Sequence, residues 1–175
     1  MPDGVLLDTS FLISFADPTR PRHAVARQYF DFFADESVPM FLSTVVASEF
    51  QLGQPVTDLP LDAMIVLPFN LTDAIHAAEL DFRPYKGTPG VARDALKDDF
   101  KLLGQAKAQQ LAFLITEDER SLYKFCVELR SKGLVPTRAI KLVDGFDRSH
   151  FDPAGQHDFG NELKASSDGD PKTRD

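Results

Sequence analysis

The chain lacks the features that mark secreted or membrane-spanning proteins. It contains a single cysteine, Cys126, which rules out an internal disulfide framework and fits a reducing compartment. No apolar run approaches the roughly 20 residues that a membrane-spanning helix needs, so we expect no membrane association. The N-terminus, MPDGVLL, has an acidic residue where a signal peptide carries basic ones. These absences together predict a cytoplasmic protein.

Basic residues are also in short supply. The net charge of −8 argues at first against a nucleic-acid ligand, because contacts with phosphate need lysine and arginine. Residues 144–175 hold eight acidic and four basic residues, so residues 1–143 hold the other 19 acids and 15 bases. If four acids in residues 1–143 bind metal, the rest of that region is balanced. The charge therefore does not exclude a nucleic-acid ligand.

Short apolar runs alternate with helical patterns along most of the chain. The predicted strands are residues 4–7, 40–43, 64–69, 112–116 and 139–143. The predicted helices are residues 21–36, 44–52, 71–80, 88–111 and 118–133. Near-continuous apolar strands that alternate with helices favour an α/β fold, with a mostly parallel sheet of about five strands covered on both faces.

The chain divides into a folded part and a polar tail. With 175 residues, of which 43% are hydrophobic, it is long enough for one domain with a sizeable core. We predict that this domain comprises residues 1–143. Residues 144–175 show no helix or strand pattern of useful length, and their polar composition predicts a flexible tail. We expect residues from about 150 to 175 to be dispensable for folding.

Acidic residues follow two of the predicted strands. Asp8 comes directly after the strand 4–7, and Asp118 follows the strand 112–116 by one residue. In a parallel sheet these positions meet at the same edge, where open α/β sheets bind ligands. Each residue also has a purely structural explanation. Asp8 could cap a helix, and Asp118 lies within a predicted capping box, T-x-x-E, at the start of the helix 118–133.

Two further acids are predicted to face inward from helices. If residues 44–52 are helical, Glu49 lies on the apolar face with Val45, Val46 and Leu52. If they are not helical, Glu49 is simply solvated. Asp99 gives the sharper signal, because its helical neighbours are all apolar: Ala95, Leu96, Leu102, Leu103 and Ala106. Burying an isolated carboxylate costs several kcal/mol unless something compensates it.

No basic partner for these acids is evident. Arg93, Lys97 and Lys101 fall on roughly the opposite face of the Asp99 helix, where they form a solvated row with Asp94 and Asp98. A bound cation would resolve the conflict. Oxygen ligands without cysteine or histidine clusters suit a hard ion, Mg²⁺ or Mn²⁺, and the four histidines show no zinc-like spacing.

The order of these motifs resembles that of the PIN-domain nucleases, whose small members include the VapC-type toxins of bacterial toxin–antitoxin pairs. The resemblance rests on strand–DTS, then SEF, then DFKLLGQA on a helix, then strand–TED, with VLPFNLTDAIHAAEL similar to the third strand and its following helix. It covers residues 4 to about 143 and implies a three-layer α/β/α fold.

The resemblance also implies a function and a set of residues. It implies Mg²⁺- or Mn²⁺-dependent hydrolysis of RNA phosphodiester bonds, an antitoxin protein as a partner and, as is common in the family, a homodimer. The family's catalytic, metal-binding acids correspond to Asp8, Glu49, Asp99 and Asp118. Its supporting hydroxyl residues correspond to Thr9, Ser10 and Thr116. The motif KDDF supplies two candidate aspartates, and the helical phase predicts Asp99 as the ligand and Asp98 as a supporting or surface residue.

Other functions fit parts of the sequence. The chain could be a PIN-like RNA- or protein-binding module without activity. It could also be a phosphate-handling enzyme with Asp8 as a covalent nucleophile, but the haloacid-dehalogenase type has an acid two residues later, where this chain has Ser10. A dinucleotide-binding domain is disfavoured, because no G-x-G-x-x-G follows the first strand.

Overall fold

Five short strands form a parallel sheet in the computed structural model, which describes residues 4–152. The strands are β1 (Val5–Leu7), β2 (Met40–Ser43), β3 (Ile65–Leu67), β4 (Phe113–Thr116) and β5 (Arg138–Lys141). Their order is β3-β2-β1-β4-β5, and every neighbouring pair is parallel. The predicted five-stranded α/β architecture is confirmed, and the strands lie within about two residues of their predicted positions.

Six α-helices connect the strands. They are α1 (Thr9–Ala16), α2 (His23–Asp35), α3 (Thr44–Gly53), α4 (Leu71–Glu79), α5 (Arg93–Ala108) and α6 (Leu122–Ser131). Helices α1 and α2 contact each other, as do α1 and α3, whereas α4 packs on α5 and α5 on α6. Because parallel connections are right-handed, the connections that run toward β3 and those that run toward β5 place their helices on opposite faces. Among residues 4–152, no helix has both the length and the apolar character needed to cross a membrane.

Some element boundaries differ from the sequence-based prediction. Helix α1 was not predicted, because its residues TSFLISFA continue the apolar run of β1. Helix α4 is capped by Asn70 through a reciprocal capping box with Asp73, which was not predicted from the sequence. Helix α5 begins at Arg93, five residues later than predicted, because residues 88–92 contain Pro89 and Gly90 and adopt no helical conformation.

The two helices α4 and α5 meet at unusually short range. A Cβ atom on Gly104 would lie 2.5 Å from the backbone of Ala77, so only glycine fits at this crossing. The contact fixes α5 against α4, and α5 carries Asp99 about one and a half turns before Gly104.

The packed core extends beyond residue 143. Phe151 is buried, and its ring lies 4.8 Å from that of Phe113 on β4 and 5.3 Å from that of Phe33 on α2. The Tyr29 hydroxyl donates to the carbonyl of Gly145 over 3.0 Å. The first part of the predicted tail, as far as residue 152, therefore packs against the domain. Residues 153–175 of that tail lie outside the described residues.

Candidate active site

Asp8 lies where β1 ends and α1 begins. It is the N-cap of α1, and its Oδ2 accepts hydrogen bonds from the Ser10 backbone N–H and from the Ser10 hydroxyl, over 3.3 and 2.6 Å. The side chain is buried, and this burial raises the pKa of Asp8 above its usual range although the hydrogen bonds oppose the shift. Both explanations offered for Asp8 from sequence are therefore compatible: it caps a helix at the edge of the sheet where ligands bind.

Thr116 and Ser10 connect the end of β4 to Asp8. The Thr116 hydroxyl donates to Asp8 Oδ2 over 2.7 Å and accepts from the backbone N–H of Asp118 over 2.9 Å. The Ser10 hydroxyl donates to Asp8 and accepts from the backbone N–H of Glu117 over 2.8 Å. Since each hydroxyl has one hydrogen, both hydrogens are committed to the Asp8 carboxylate. The two hydroxyls hold this carboxylate in place.

Glu49 reaches the same edge from α3. The helix forms as predicted, but Leu52 is 90% exposed, so Glu49 lies at the border of the buried face and is itself half-buried. Its Oε2 accepts a hydrogen bond from the Thr9 hydroxyl. The pKa of Glu49 is raised by burial, and the charges of Asp8 and Asp98 act in the same direction.

Asp99 is the most isolated of the acids. Its side chain is buried among the apolar residues of α5, as predicted, and its Oδ2 has no hydrogen-bond partner. Burial, together with the charges of Asp8, Asp118 and Glu49, raises the pKa of Asp99 to about 8, although the nearby Ser121 hydroxyl opposes the shift. Ion-pair or hydrogen-bond partners that would compensate this oxygen do not occur among residues 4–152.

Asp118 lies just after β4, in the turn before α6. Its Oδ1 accepts from the backbone N–H groups of Arg120 and Ser121, over 2.8 and 3.1 Å, and its Oδ2 accepts from the Ser121 hydroxyl. The predicted T-x-x-E capping box does not form, because the Thr116 hydroxyl is directed to Asp8 and α6 starts later, at Leu122. Asp118 itself organises the turn.

Asp98 has a different environment from its neighbour Asp99. Its Oδ1 accepts from Lys101 Nζ over 2.7 Å, in the partly exposed pair that the sequence placed together on the polar flank. Asp98 also lies close enough to Glu49 to raise the pKa of Glu49. The helical phase that separates Asp98 from Asp99 is thus observed, and Asp98 lies at the rim of the carboxylate cluster.

The fold brings the four predicted acids to one place. Asp8, Glu49 and Asp118 all act electrostatically on Asp99, although they come from β1, α3 and the β4–α6 turn. As placed, however, no three His, Cys, Asp or Glu side chains among residues 4–152 form a group that could hold a metal ion. Three of the four carboxylates are turned onto hydroxyl groups of Thr9, Ser10, Thr116 and Ser121. We call these four acids the carboxylate site.

Two contacts at this edge were not predicted from sequence. Ser121, which bonds Asp118, was missed, although a serine three residues after an aspartate is a common turn pattern. The Ser14 hydroxyl donates to Glu117, which also lies 3.8 Å from Arg20 Nη2. No sequence pattern connects Ser14 with Glu117, because they lie on elements that meet only in the fold.

The sheet order, the six helices and the acids at the carboxyl edge define the PIN-like α/β class that the sequence motifs resemble. No protein-family model and no curated protein matches the chain. The solved structures described next are 20% identical or less, so they show the fold alone. At the level of the fold, they support the PIN-like assignment.

Particular solved structures share this fold. A chain of VapBC2 from Rickettsia felis, bound to a DNA fragment from the promoter, is 12% identical with a TM-score of 0.54; the alignment covers 77% of our chain and 97% of the other. A chain of DNA-bound VapBC from Salmonella typhimurium is 20% identical with a TM-score of 0.51, covering 79% and 98%. A chain of FitAcB from Neisseria gonorrhoeae is 19% identical with a TM-score of 0.53, covering 79% and 98%.

Proposed function

We propose that the chain is a metal-dependent endoribonuclease that hydrolyses RNA phosphodiester bonds, and that it is the toxin of a toxin–antitoxin pair. The observation that carries this proposal is the Asp99 carboxylate, which is buried, has an unpartnered oxygen and is surrounded by three further acids. A stable domain does not gain from such an arrangement unless a cation neutralises it.

The residues at the carboxylate site fit a divalent metal. The donors are carboxylate oxygens, which suit Mg²⁺ or Mn²⁺, and neither histidine nor cysteine is among them. Asp8, Glu49, Asp99 and Asp118 are the residues that would hold the ion. When bound, the metal would supply an activated water and would stabilise the charge that develops on the phosphate.

The hydroxyl groups have a positioning role in this proposal. Thr116 and Ser10 fix Asp8, Thr9 holds Glu49, and Ser121 holds Asp118, so three carboxylates are oriented before RNA arrives. Ser10 is a poor nucleophile, because its hydrogen is bonded to Asp8 and its oxygen accepts from Glu117. Hydrolysis by water, without a covalent enzyme intermediate, fits these contacts best.

A protein partner is supported by the comparisons and by the surface. The similar chains come from VapBC and FitAcB structures, and the VapBC examples are bound to DNA. Exposed apolar side chains lie on the edge strand β3 and on α4: Ile65, Val66, Leu71 and Ile75. Apolar groups of this kind suit a protein interface, with either an antitoxin or a second copy of the chain.

Cleavage of RNA tests the proposed activity. The purified protein is incubated with a broad pool of RNA in Mg²⁺ or Mn²⁺, and the products are resolved by length. We expect cleavage that EDTA abolishes and that Asp8→Asn reduces to background. Asparagine is an equally good N-cap, so the substitution removes the charge without removing the cap of α1.

One observation favours a second candidate, an RNA- or protein-binding module without activity. Three of the four acids are turned onto hydroxyls, and side chains among residues 4–152 do not form a ready metal-binding group. A module of this kind would bind RNA or a protein partner, and its thermal stability would not respond to Mn²⁺. Cleavage that depends on both metal and Asp8 would reject it.

A further inference from the structure

A groove runs along β5, at the opposite edge of the sheet from β3. It has a volume of about 930 Å³, and its walls come from β5, from α6 and from the loop between them. β5 ends the sheet, so its outer side has no neighbouring strand among residues 4–152. Lys107, Arg130, Arg138 and Lys141 line the groove beside a single acidic residue, Asp144. We call this surface the β5 groove.

Positive charge is concentrated there although the whole chain has a net charge of −8. Arg138 Nη2 lies 3.0 Å from His150 Nδ1. Burial lowers the pKa of Arg138, and the charge of Arg130 lowers it further. The pKa of His150 is likewise lowered by burial and then by Arg138. The Arg138 guanidinium therefore donates to a neutral His150 ring, while the like charge of Arg130 and the opposite charge of Asp147 both act on Arg138. A bound anion would relieve the repulsion between the two guanidinium groups.

The basic residues of the groove have different partners. Lys107 pairs with Glu79 over 2.8 Å, and Lys141 pairs with Asp144 over 3.3 Å, so the two lysines are partly neutralised. Arg130 instead donates its Nε hydrogen to a backbone carbonyl, that of Pro136, over 3.3 Å. Guanidinium groups match the geometry of phosphate oxygens better than ammonium groups do.

The walls also offer surfaces for bases. Tyr123 is half-buried in the groove and lies under Lys141 Nζ, 5.1 Å from the ring centre. Val127 and Leu134, which are 45% and 40% exposed, line the same wall. Proteins commonly bind single-stranded nucleic acids with aromatic and apolar surfaces beside a row of basic residues.

The groove opens toward the carboxylate site. Lys141 is paired in register with Thr116, which donates to Asp8. Lys141 Nζ also lies 3.9 Å from Glu119, the residue after Asp118. A strand of RNA whose phosphate lies at the carboxylate site can therefore continue over Lys141 and into the β5 groove.

We propose that the β5 groove binds the phosphate backbone of single-stranded RNA to one side of the cleaved bond. The groove would hold a long RNA while the carboxylate site acts on one phosphate, and it would offset the repulsion between RNA and an acidic protein. The choice of RNA rests on the proposed function, whereas the anionic character of the ligand rests on the groove itself.

Salt dependence of RNA binding tests the groove directly. The double variant Arg130→Gln/Arg138→Gln is compared with Lys86→Gln/Lys124→Gln, which also removes two charges but from exposed positions outside the groove. Binding of a labelled single-stranded RNA is measured by anisotropy in EDTA over a salt series. Loss of two phosphate contacts should lower the slope of log K against log salt by about 1.4 in magnitude, since each contact contributes about 0.7.

Matched controls keep the result interpretable. The control variant should keep the wild-type slope, and thermal melting should show that both double variants are folded. If the double variant does not fold, Lys141→Gln is measured in its place, with an expected change in slope of about 0.7. Equal slopes for wild type and a folded groove variant would overturn the proposal.

Two further measurements separate this proposal from its alternatives. In Mn²⁺, the groove variant Arg130→Gln/Arg138→Gln should have a lower kcat/KM than the wild type for a long RNA. For a short RNA that fills only the carboxylate site, the difference should be smaller. If the wild type cleaves no RNA but the salt slope still changes, the proposed function fails and the groove proposal stands. If the groove variant weakens binding of a polyglutamate peptide but not of RNA, the groove serves an acidic polypeptide and the RNA proposal is overturned.

Discussion

Two buried aspartates, on neighbouring helices, show what burial of a carboxylate means in different surroundings. Asp73 on α4 is fully buried, and its oxygens accept from the backbone N–H of Asn70 and from the side-chain amide of Gln105, over 2.9 and 3.4 Å. Asp99 on α5 is almost as buried, but it faces other acids and has an unpartnered oxygen.

The difference separates a structural acid from a candidate functional one. Neutral amide donors stabilise Asp73 in the fold itself, as part of the capping box of α4. Asp99 Oδ2 has no such donor within residues 4–152. The buried carboxylate with an unpartnered oxygen is therefore the informative one, and the following predictions test this comparison.

Cleavage should separate the aspartates most strongly. Asp99→Asn should abolish metal-dependent RNA cleavage, because it removes a charge from the centre of the carboxylate site. Asp98→Asn should keep most activity, since Asp98 pairs with Lys101 at the rim. Asp73→Asn should remain active at temperatures where it is folded. The rate of product formation from one RNA is measured for each variant. An inactive Asp98→Asn variant beside an active Asp99→Asn variant would show that Asp98, not Asp99, belongs to the carboxylate site.

The pH dependence of stability should follow Asp99. Its pKa rises from 3.8 in the unfolded chain to about 8 in the fold, so between these values the folded state keeps a proton that the unfolded state has lost. Without metal, the free energy of unfolding should fall as the pH rises from about 4 to about 8, by on the order of a few kcal/mol.

Urea unfolding in EDTA at a series of pH values measures this effect. Asp99→Asn should flatten the profile, although Asp8 and Glu49, whose pKa values are also raised, leave a residual slope. An unchanged slope in the Asp99 variant would show that its carboxyl does not control the titration.

Metal binding should stabilise the fold through the same site. At pH 8, Mn²⁺ at about 100 times its dissociation constant should raise the free energy of unfolding by about 2.7 kcal/mol, because the ion binds the folded state only. Asp8→Asn should reduce this gain and Asp73→Asn should not. Thermal melting with and without Mn²⁺ provides the measurement, and a gain that survives Asp8→Asn would place the ion elsewhere.

Stability without metal should change in opposite directions at the two aspartates. Asp73→Asn can keep a carbonyl oxygen at the Oδ2 position, which accepts from Asn70 and Gln105, but it puts an amide donor at the Oδ1 position against Gln109 Nε2, which should cost about 1–3 kcal/mol. Asp99→Asn removes an uncompensated charge and should stabilise the protein or leave it unchanged. Denaturant unfolding near pH 8 in EDTA compares them, and a large loss of stability in the Asp99 variant would contradict its lack of partners.

Much of the fold could be predicted because its strands are almost wholly apolar and its acids break that pattern. The strand β2 was predicted to the residue, and Asp99 stood out because its helical neighbours are all apolar. Helix α1 was not predicted. Apolar residues precede Asp8 and follow Ser10, and they do not show where the strand ends and the helix begins.

Contacts between distant elements limited the rest. The hydroxyls of Thr9 and Ser121 hold Glu49 and Asp118, but the direction of a hydroxyl depends on the packed structure. The packing of Phe151 against Phe113 of β4 was missed, because the two phenylalanines of this polar segment, Phe146 and Phe151, give no periodic signal. The hydrogen bond between Asp73 and Gln105 was missed because the two residues are 32 positions apart and meet only in the fold.

The close crossing at Gly104 has a genetic consequence. Alanine there would place a methyl group 2.5 Å from the backbone of Ala77, and Ala77 has no longer side chain that could move aside. Helix α5 would have to shift and would carry Asp99 with it. If the chain is the toxin that we propose, a selection for cells that survive its expression should therefore recover substitutions at Gly104 alongside those in the acids.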